Sequence, residues 1–475
     1  MKTSDQAGAT SAPTSIRTAI DNRSMSFYQW STVAVCMLLN MIDGFDVLVM
    51  AFTAASVSAE WQLSGAQLGF LLSAGLFGMA GGSLFVAPWA DRIGRRPLTL
   101  GCLVVSGAGM LLSAWARSPQ ELAALRVLTG LGVGGILACS NVIASEYASR
   151  RWRGLAVSLQ STGYALGATI GGTIAVWLLS AFGWRSVFMF GGLATLAMAL
   201  LVFWRLPESI DYLLTRPHGD ALLRKVNTLL LRMGLEPLQT LPPAPEKASL
   251  KTSRLRSLFS RELARPTVLV WASFFLTMFG FYFVMSWTPK LLAASGLTRE
   301  QGVTAGVLLS LGGIFGTALL GVLGAKFRMH RVLALFMLIA AGLLCVFVGG
   351  SNSLAAYYVL AFLIGAFVNA CVAGLYAIAP MVYDAEVRVT GVGWGIGVGR
   401  IGAIVSPLVA GALIDAQLRP TQLYLGYGMA FVAAALVVLM HRLATPESAE
   451  PVAERARIQG GSEPAPFANG RPLST

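Results

Sequence analysis

Asn40-Met41-Ile42-Asp43-Gly44-Phe45-Asp46 sets two carboxylates inside an apolar run from about Trp30 to Ser56, long enough to cross a bilayer. At 1.5 Å per residue Asp43 lies roughly 20 Å into that helix, and a spacing of three residues places Asp46 about 60° round the same face. The two side chains therefore look inward together. An ionisable group at that depth costs several kcal/mol against hydrocarbon, so it must face a bundle interior or a watery cavity, where it marks a functional site. A neutral, hydrogen-bonded structural pair is the plainer reading, yet one structural polar group needs no second carboxylate beside it.

Composition agrees with a chain built for lipid. The 475 residues are 55% hydrophobic and 12% charged, and the mean hydropathy is +0.68, values outside the range of an ordinary soluble domain. The net charge of +13 does not point to nucleic acid, because the basic residues fall in short loops between apolar spans. Cys36, Cys102, Cys139, Cys345 and Cys371 are scattered singly, so disulfides, metal clusters and cysteine catalysis are not expected. The polar amino terminus is expected to be disordered and to stay attached, since the first apolar run is too long for a signal segment and lacks a small-residue cleavage site.

Apolar runs recur near 30–56, 66–89, 97–116, 122–145, 155–181 and 186–205. After a polar stretch they return near 267–292, 302–325, 332–350, 354–380, 390–415 and 421–441. The prediction is an all-α membrane protein of twelve transmembrane helices, six plus six. Its parts are an amino-terminal segment 1–27, a bundle 28–206, a linker 207–265, a second bundle 266–443 and a tail 444–475. Counting Lys and Arg by loop gives roughly 28 on one side and about 5 on the other, which puts both termini and the linker in the cytoplasm.

The halves echo one another. A shift of about 234 residues lays Gly78 and Gly82 on Gly312 and Gly316, and Asp91-Arg92-Ile93-Gly94-Arg95-Arg96 on Ala325-Lys326-Phe327-Arg328-Met329-His330. A slightly larger shift sets Arg153-Gly154 on Thr390-Gly391. Duplicated bundles place a binding site at their interface, near the midplane.

Ala87-Pro88-Trp89-Ala90-Asp91-Arg92-Ile93-Gly94-Arg95-Arg96 resembles the loop 2–3 signature of the major facilitator superfamily, with Ala87 where a glycine is usual. Arg126 with Gly130, Gly132, Gly134 and Gly135 is similar to its fourth-span motif, and Pro207-Glu208-Ser209 to the end of its sixth span. Within that superfamily, Asp43-Gly44-Phe45-Asp46 resembles the first-span signature of the aromatic acid:proton symporters. The resemblance implies the major facilitator fold. It also implies a gate in which Asp91 holds the amino end of the eleventh span closed on the cytoplasmic side, with Arg92, Arg95, Arg96, Glu146, Arg388 and His330 as further gating candidates. Plain positive-inside anchoring explains the arginines but not an aspartate among them.

Arg400 and Arg126 lie inside apolar spans. Arg400 follows a glycine-rich segment and sits roughly 15 Å deep, where its planar fork suits a carboxylate. Either it holds an anion or it neutralises an aspartate across the bundle. Arg126 carries the same two readings, with a structural pairing to Asp43 or Asp46 close behind anion binding. Asn40, Gln160, Tyr164, Tyr376 and Trp394 are candidate lining for a flat ring.

Together these residues and the resemblance imply a secondary transporter that imports a small aromatic carboxylate by proton symport, with Asp43 and Asp46 as proton carriers and the arginines as the anion site. The alternatives are a proton-coupled exporter of drugs or metabolites and a membrane sensor without turnover. There is no nucleotide-binding lysine loop and no catalytic constellation, so neither an enzyme nor an ATP-driven pump is expected. The expected partners are substrate, protons and the lipid bilayer, with no cofactor and no nucleic acid. The expected form is a monomer in the inner (plasma) membrane.

Overall fold

The computed structural model describes residues 16–216, 219–241, 258–261, 263–348, 353–383 and 387–444. Among them every regular element is helical, and twelve helices are long and apolar enough to cross a membrane. The first bundle holds α1 (Phe27–Trp61), α2 (from Gly65–Gly81), α3 (Arg95–Ser113), α4 (Pro119–Tyr147), α5 (Arg153–Phe182) and α6 (Trp184–Arg205). The second holds α7 (Ala264–Ala294), α8 (Arg299–Lys326), α9 (Met329–Val348), α10 (Leu354–Val382), α11 (Arg388–Asp415) and α12 (Pro420–Ala444). The helix starts are written in the sequence. Ser26 with Gln29, Ser64 with Gln67 and Thr298 with Gln301 form reciprocal capping boxes at α1, α2 and α8. Past Gly81, α2 runs on through a π turn (Gly82–Val86) and a 3-10 turn (Ala87–Trp89) to Ala90–Ile93. Gly94, at φ +109°, then reverses the chain.

Lipid gives no hydrophobic drive for helices to associate, so close contact depends on small residues. A Cβ on Gly167 would overlap the Met41 carbonyl, and one on Gly44 the Tyr164 carbonyl, so α1 and α5 cross backbone to backbone beside Asp43. Gly78 and Gly82 bring α2 onto α4, while Gly312 and Gly316 bring α8 onto α10. The glycines matched between the halves thus do the same work in each. Gly167→Ala is expected to destabilise the protein by about 1–3 kcal/mol through overpacking. Gly101→Ala, whose Cβ would meet nothing within 4 Å, is the matched control. Equal Tm values for the two variants would show that the crossing is not tight.

The amino-terminal segment departs from the expected disorder. Ile16–Asn22 is a helix whose Ile16 and Ile20 are buried, and Arg17 donates to the Glu146 and Ser145 carbonyls at 2.9 and 3.0 Å. It satisfies the open carbonyl end of α4, which is the physical reason for its order. Residues 1–15 and the tail beyond Ala444 lie outside the described residues. The linker also carries structure. Asp220–Arg232 is a helix whose Val226, Leu229 and Leu230 are buried in the apolar cluster that holds Ile16, Ile20 and Tyr147.

Both ends of the described chain and this linker helix lie on one side, called here the terminal side. On the opposite, far side the two bundles meet. Ser73 of α2 donates to the Ile404 carbonyl of α11 at 2.8 Å. Gly69 packs on Pro407 and Gly65 on Gly411, and Gly172 of α5 packs on Val307 of α8. On the terminal side the same face of α11 is open, since a Cβ on Gly393 or Gly397 would meet nothing within 4 Å. The cleft between the bundles therefore opens to the terminal side.

Candidate functional site

Asp43 and Asp46 are 1% and 2% exposed, inside the first bundle as their spacing requires, but they have different partners. Arg126, 3% exposed, donates from Nη1 to Asp46 Oδ1 at 2.8 Å and from Nη2 to the Asp46 carbonyl at 2.7 Å. Ser106 donates to Asp46 Oδ2 at 3.3 Å. Both prongs of the Arg126 fork are thus taken by Asp46 in this conformation, which is the pairing alternative of the two readings. Asp43 Oδ2 has no hydrogen-bond partner among the described residues. A buried polar atom left open in this way is costly unless something transient occupies it.

Asn40 and Gln160 are also buried, and they are tied to each other. Asn40 Nδ2 donates to Gln160 Oε1 at 2.7 Å and to the Cys36 carbonyl at 3.0 Å. They brace α1 against α5 at the level of the aspartates. A small cleft lined by Asp46, Arg126, Gly75, Gly130 and neighbours has about 10 Å³ of room, close to one water molecule.

Arg400 makes a second centre. Ile404, Pro407 and Gly411 touch α2, and at 100° per residue Arg400 lies within about 40° of that face. It therefore points between the bundles. It forms no ion pair among the described residues. The Tyr282 and Tyr376 hydroxyls are within its electrostatic reach, and Tyr282 and Asp43 are within reach of Tyr164. Tyr376 is 44% exposed yet packs edge-on against Phe274 at 5.6 Å, as a residue lining an internal cleft does. Asp43, Tyr164, Tyr282 and Arg400 thus form a line in which each group is within electrostatic reach of the next, across both bundles, with no hydrogen bond joining them among the described residues. Tyr282 was legible only as one of many aromatics on α7. Trp394, about 120° round the helix from Arg400, is not part of this line. It stacks on Trp271 at 5.9 Å.

The charged loop is a third, separate cluster on the terminal side. Arg95 is its hub, donating to Ser209 Oγ at 2.7 Å and lying 3.7 Å from Glu146 and 3.5 Å from Asp91. Glu208 Oε1 accepts from the backbone N–H groups of Arg95 and Arg96 at 2.9 and 3.1 Å, capping α3. Sequence reasoning quoted Glu208 in a motif but gave it no role; an acid just past the end of a span on the positive side was the available signal. Arg96 lies over the Phe203 ring at 5.8 Å, and the Arg92 carbonyl accepts from Tyr212 at 3.4 Å. Asp91 is 78% exposed, and its ion pair is with Arg95 of its own bundle, not with the start of α11. Arg388, in the first turn of α11, donates to the Tyr383 carbonyl at 3.1 Å. His330 sits in the first turn of α9.

Two pseudo-repeated six-helix bundles that enclose charged side chains at their shared cleft define a polytopic membrane transporter, not an enzyme. A family model described as Major Facilitator Superfamily matches residues 33–349, and the chain belongs to that superfamily. It is 36% identical over 435 residues to the gallate transporter of Pseudomonas putida, covering 90% of this chain and 95% of that one. Over 403 residues it is 34% identical to the 4-hydroxybenzoate transporter PcaK of Acinetobacter baylyi, covering 83% and 87%. Among solved structures, the inward-open xylose transporter XylE of Escherichia coli has a TM-score of 0.67 at 18% identity, covering 91% of this chain and 99% of that one. A bacterial Spinster homologue, inward-facing and unoccupied, has a TM-score of 0.64 at 19% identity, covering 93% and 100%. These two likenesses concern the fold.

Proposed function

We propose that the protein imports a small aromatic carboxylate together with protons, without a bound cofactor, across an inner membrane in which the terminal side is cytoplasmic. The observation that carries this reading is Arg400, a guanidinium without a carboxylate partner among the described residues, facing the gap between the bundles within electrostatic reach of Tyr282 and Tyr376. A guanidinium fork takes a carboxylate in two parallel hydrogen bonds, and the tyrosines supply flat apolar surface with a hydroxyl for ring substituents. The names of the relatives, gallate and 4-hydroxybenzoate transporters, support the same class of cargo. Asp43, open and within reach of Tyr164, is the proton acceptor in this reading. Substrate charge at Arg400 and proton occupancy at Asp43 influence each other through the tyrosine line, which is coupling by electrostatics.

The test is uptake into liposomes holding the purified protein. Labelled gallate or 4-hydroxybenzoate is expected to accumulate inside when the outside is made acidic, and collapse of the gradient should release it. Accumulation driven by the opposite gradient would identify an exporter; binding without flux would identify a sensor.

A further inference from the structure

We propose that Asp415 is a gating residue of the transport cycle, the far-side counterpart of Asp91, and that these two carboxylates hold opposite ends of the α2–α11 pair in turn. Asp415 is the last residue of α11. Its Oδ1 accepts from Gly65 N at 2.6 Å and its Oδ2 from Ala66 N at 2.8 Å, the first two residues of α2. The α2 capping box uses the Ser64 and Gln67 N–H groups, and Asp415, reaching over from α11, takes the Gly65 and Ala66 N–H groups that it leaves open. The bonds are therefore a tie between bundles. A second tie lies beside it: Lys290 Nζ of α7 donates to Ser58 Oγ of α1 at 2.6 Å, within electrostatic reach of Asp415. Opening the far side must break both.

The sign of the charges makes the arrangement directional. An acid at a helix carboxyl end opposes its own helix dipole, whereas the same acid at a helix amino end is favoured. Asp415 is misplaced on α11 and well placed only while the amino end of α2 is against it. Asp91, in the short helix Ala90–Ile93 that ends the α2 run, is misplaced in the same sense and would be satisfied by the amino end of α11. Here Asp415 is seated on a helix amino end while Asp91 pairs with Arg95 of its own bundle, in a molecule whose cleft opens to the terminal side. Rocking one bundle on the other would release Asp415 and seat Asp91. Each carboxylate then favours one of two states, and a transporter must populate both.

The experiment measures the far-side opening directly. Spin labels at Ser180→Cys and Thr421→Cys report the far ends of α5 and α12, in a Cys345→Ser background that removes the exposed native thiol. The parent should show a predominantly short distance. Asp415→Ala loses two charge-assisted hydrogen bonds and should raise the long-distance population about tenfold or more, while Asp91→Ala should lower it. The external KM should fall in Asp415→Ala along with kcat, because more of the protein presents its far-side site while the return step is slowed. A change in packing alone would not pair these effects. An unchanged distance distribution in Asp415→Ala, with KM also unchanged, would overturn the proposal. The distances are read without substrate, so this result is independent of the aromatic acid reading.

Discussion

Arg400→Lys is expected to weaken binding of an aromatic carboxylate roughly ten- to a hundredfold, although the positive charge remains. The expectation rests on geometry. Lysine offers a point charge on a flexible stem, whereas arginine offers two parallel donors in a fixed plane that match a carboxylate. Because Arg400 has no ion pair among the described residues, its loss leaves no protein carboxylate stranded, so the defect should appear in affinity and not in folding. Arg400→Gln should bind more weakly still, with a Tm close to the parent. Neutral amides of the same acids should compete poorly with the parent protein, since they cannot accept the paired bonds. Titration calorimetry on the three proteins decides it: near-parent affinity in Arg400→Lys would move the carboxylate site elsewhere in the cleft.

The spans were legible because lipid imposes one requirement, about twenty apolar residues in a helix, and each of the twelve runs meets it. The duplication was legible for a related reason, since glycines at matched positions serve matched helix crossings. Partner choice was not legible. Spacing put Asp43 and Asp46 on one face, but which of them meets Arg126 depends on how α1 rotates against α4, and that is set by Gly44 and Gly167 at a crossing with a third helix. Arg400 faces the gap between the bundles, while Trp394 was grouped with it by proximity in sequence although the helix turns it away. Asn40 and Gln160, read as pocket lining, satisfy each other because a buried amide must find a partner. Asp415 and Lys290 are single charges at far-side span ends, where simple solvation is a sufficient account of either in the sequence. Only the approach of α2 to α11 gives Asp415 a role.

The two aspartates should separate under substitution. Arg126→Met strands a carboxylate in a site where Ser106 alone remains, and breaking one side of a buried pair costs about 3–5 kcal/mol. Yield and Tm should drop sharply. Adding Asp46→Asn should recover most of that loss, because replacing both partners removes the stranded charge. Asp43→Asn breaks no ion pair among the described residues, so its stability should match the parent. If Asp43 takes up the proton, that variant should still exchange internal for external substrate at equal pH but should fail to accumulate it under a gradient. The amide keeps the shape of the carboxylate and cannot cycle a proton. Asp46→Asn alone should be less clear-cut, since it frees Arg126 to seek another anion, and substrate itself is one. A double variant as unstable as Arg126→Met would show that the pair is not the stabilising unit. Full accumulation in Asp43→Asn would assign the proton to Asp46, which would then have to release Arg126 whenever a proton binds.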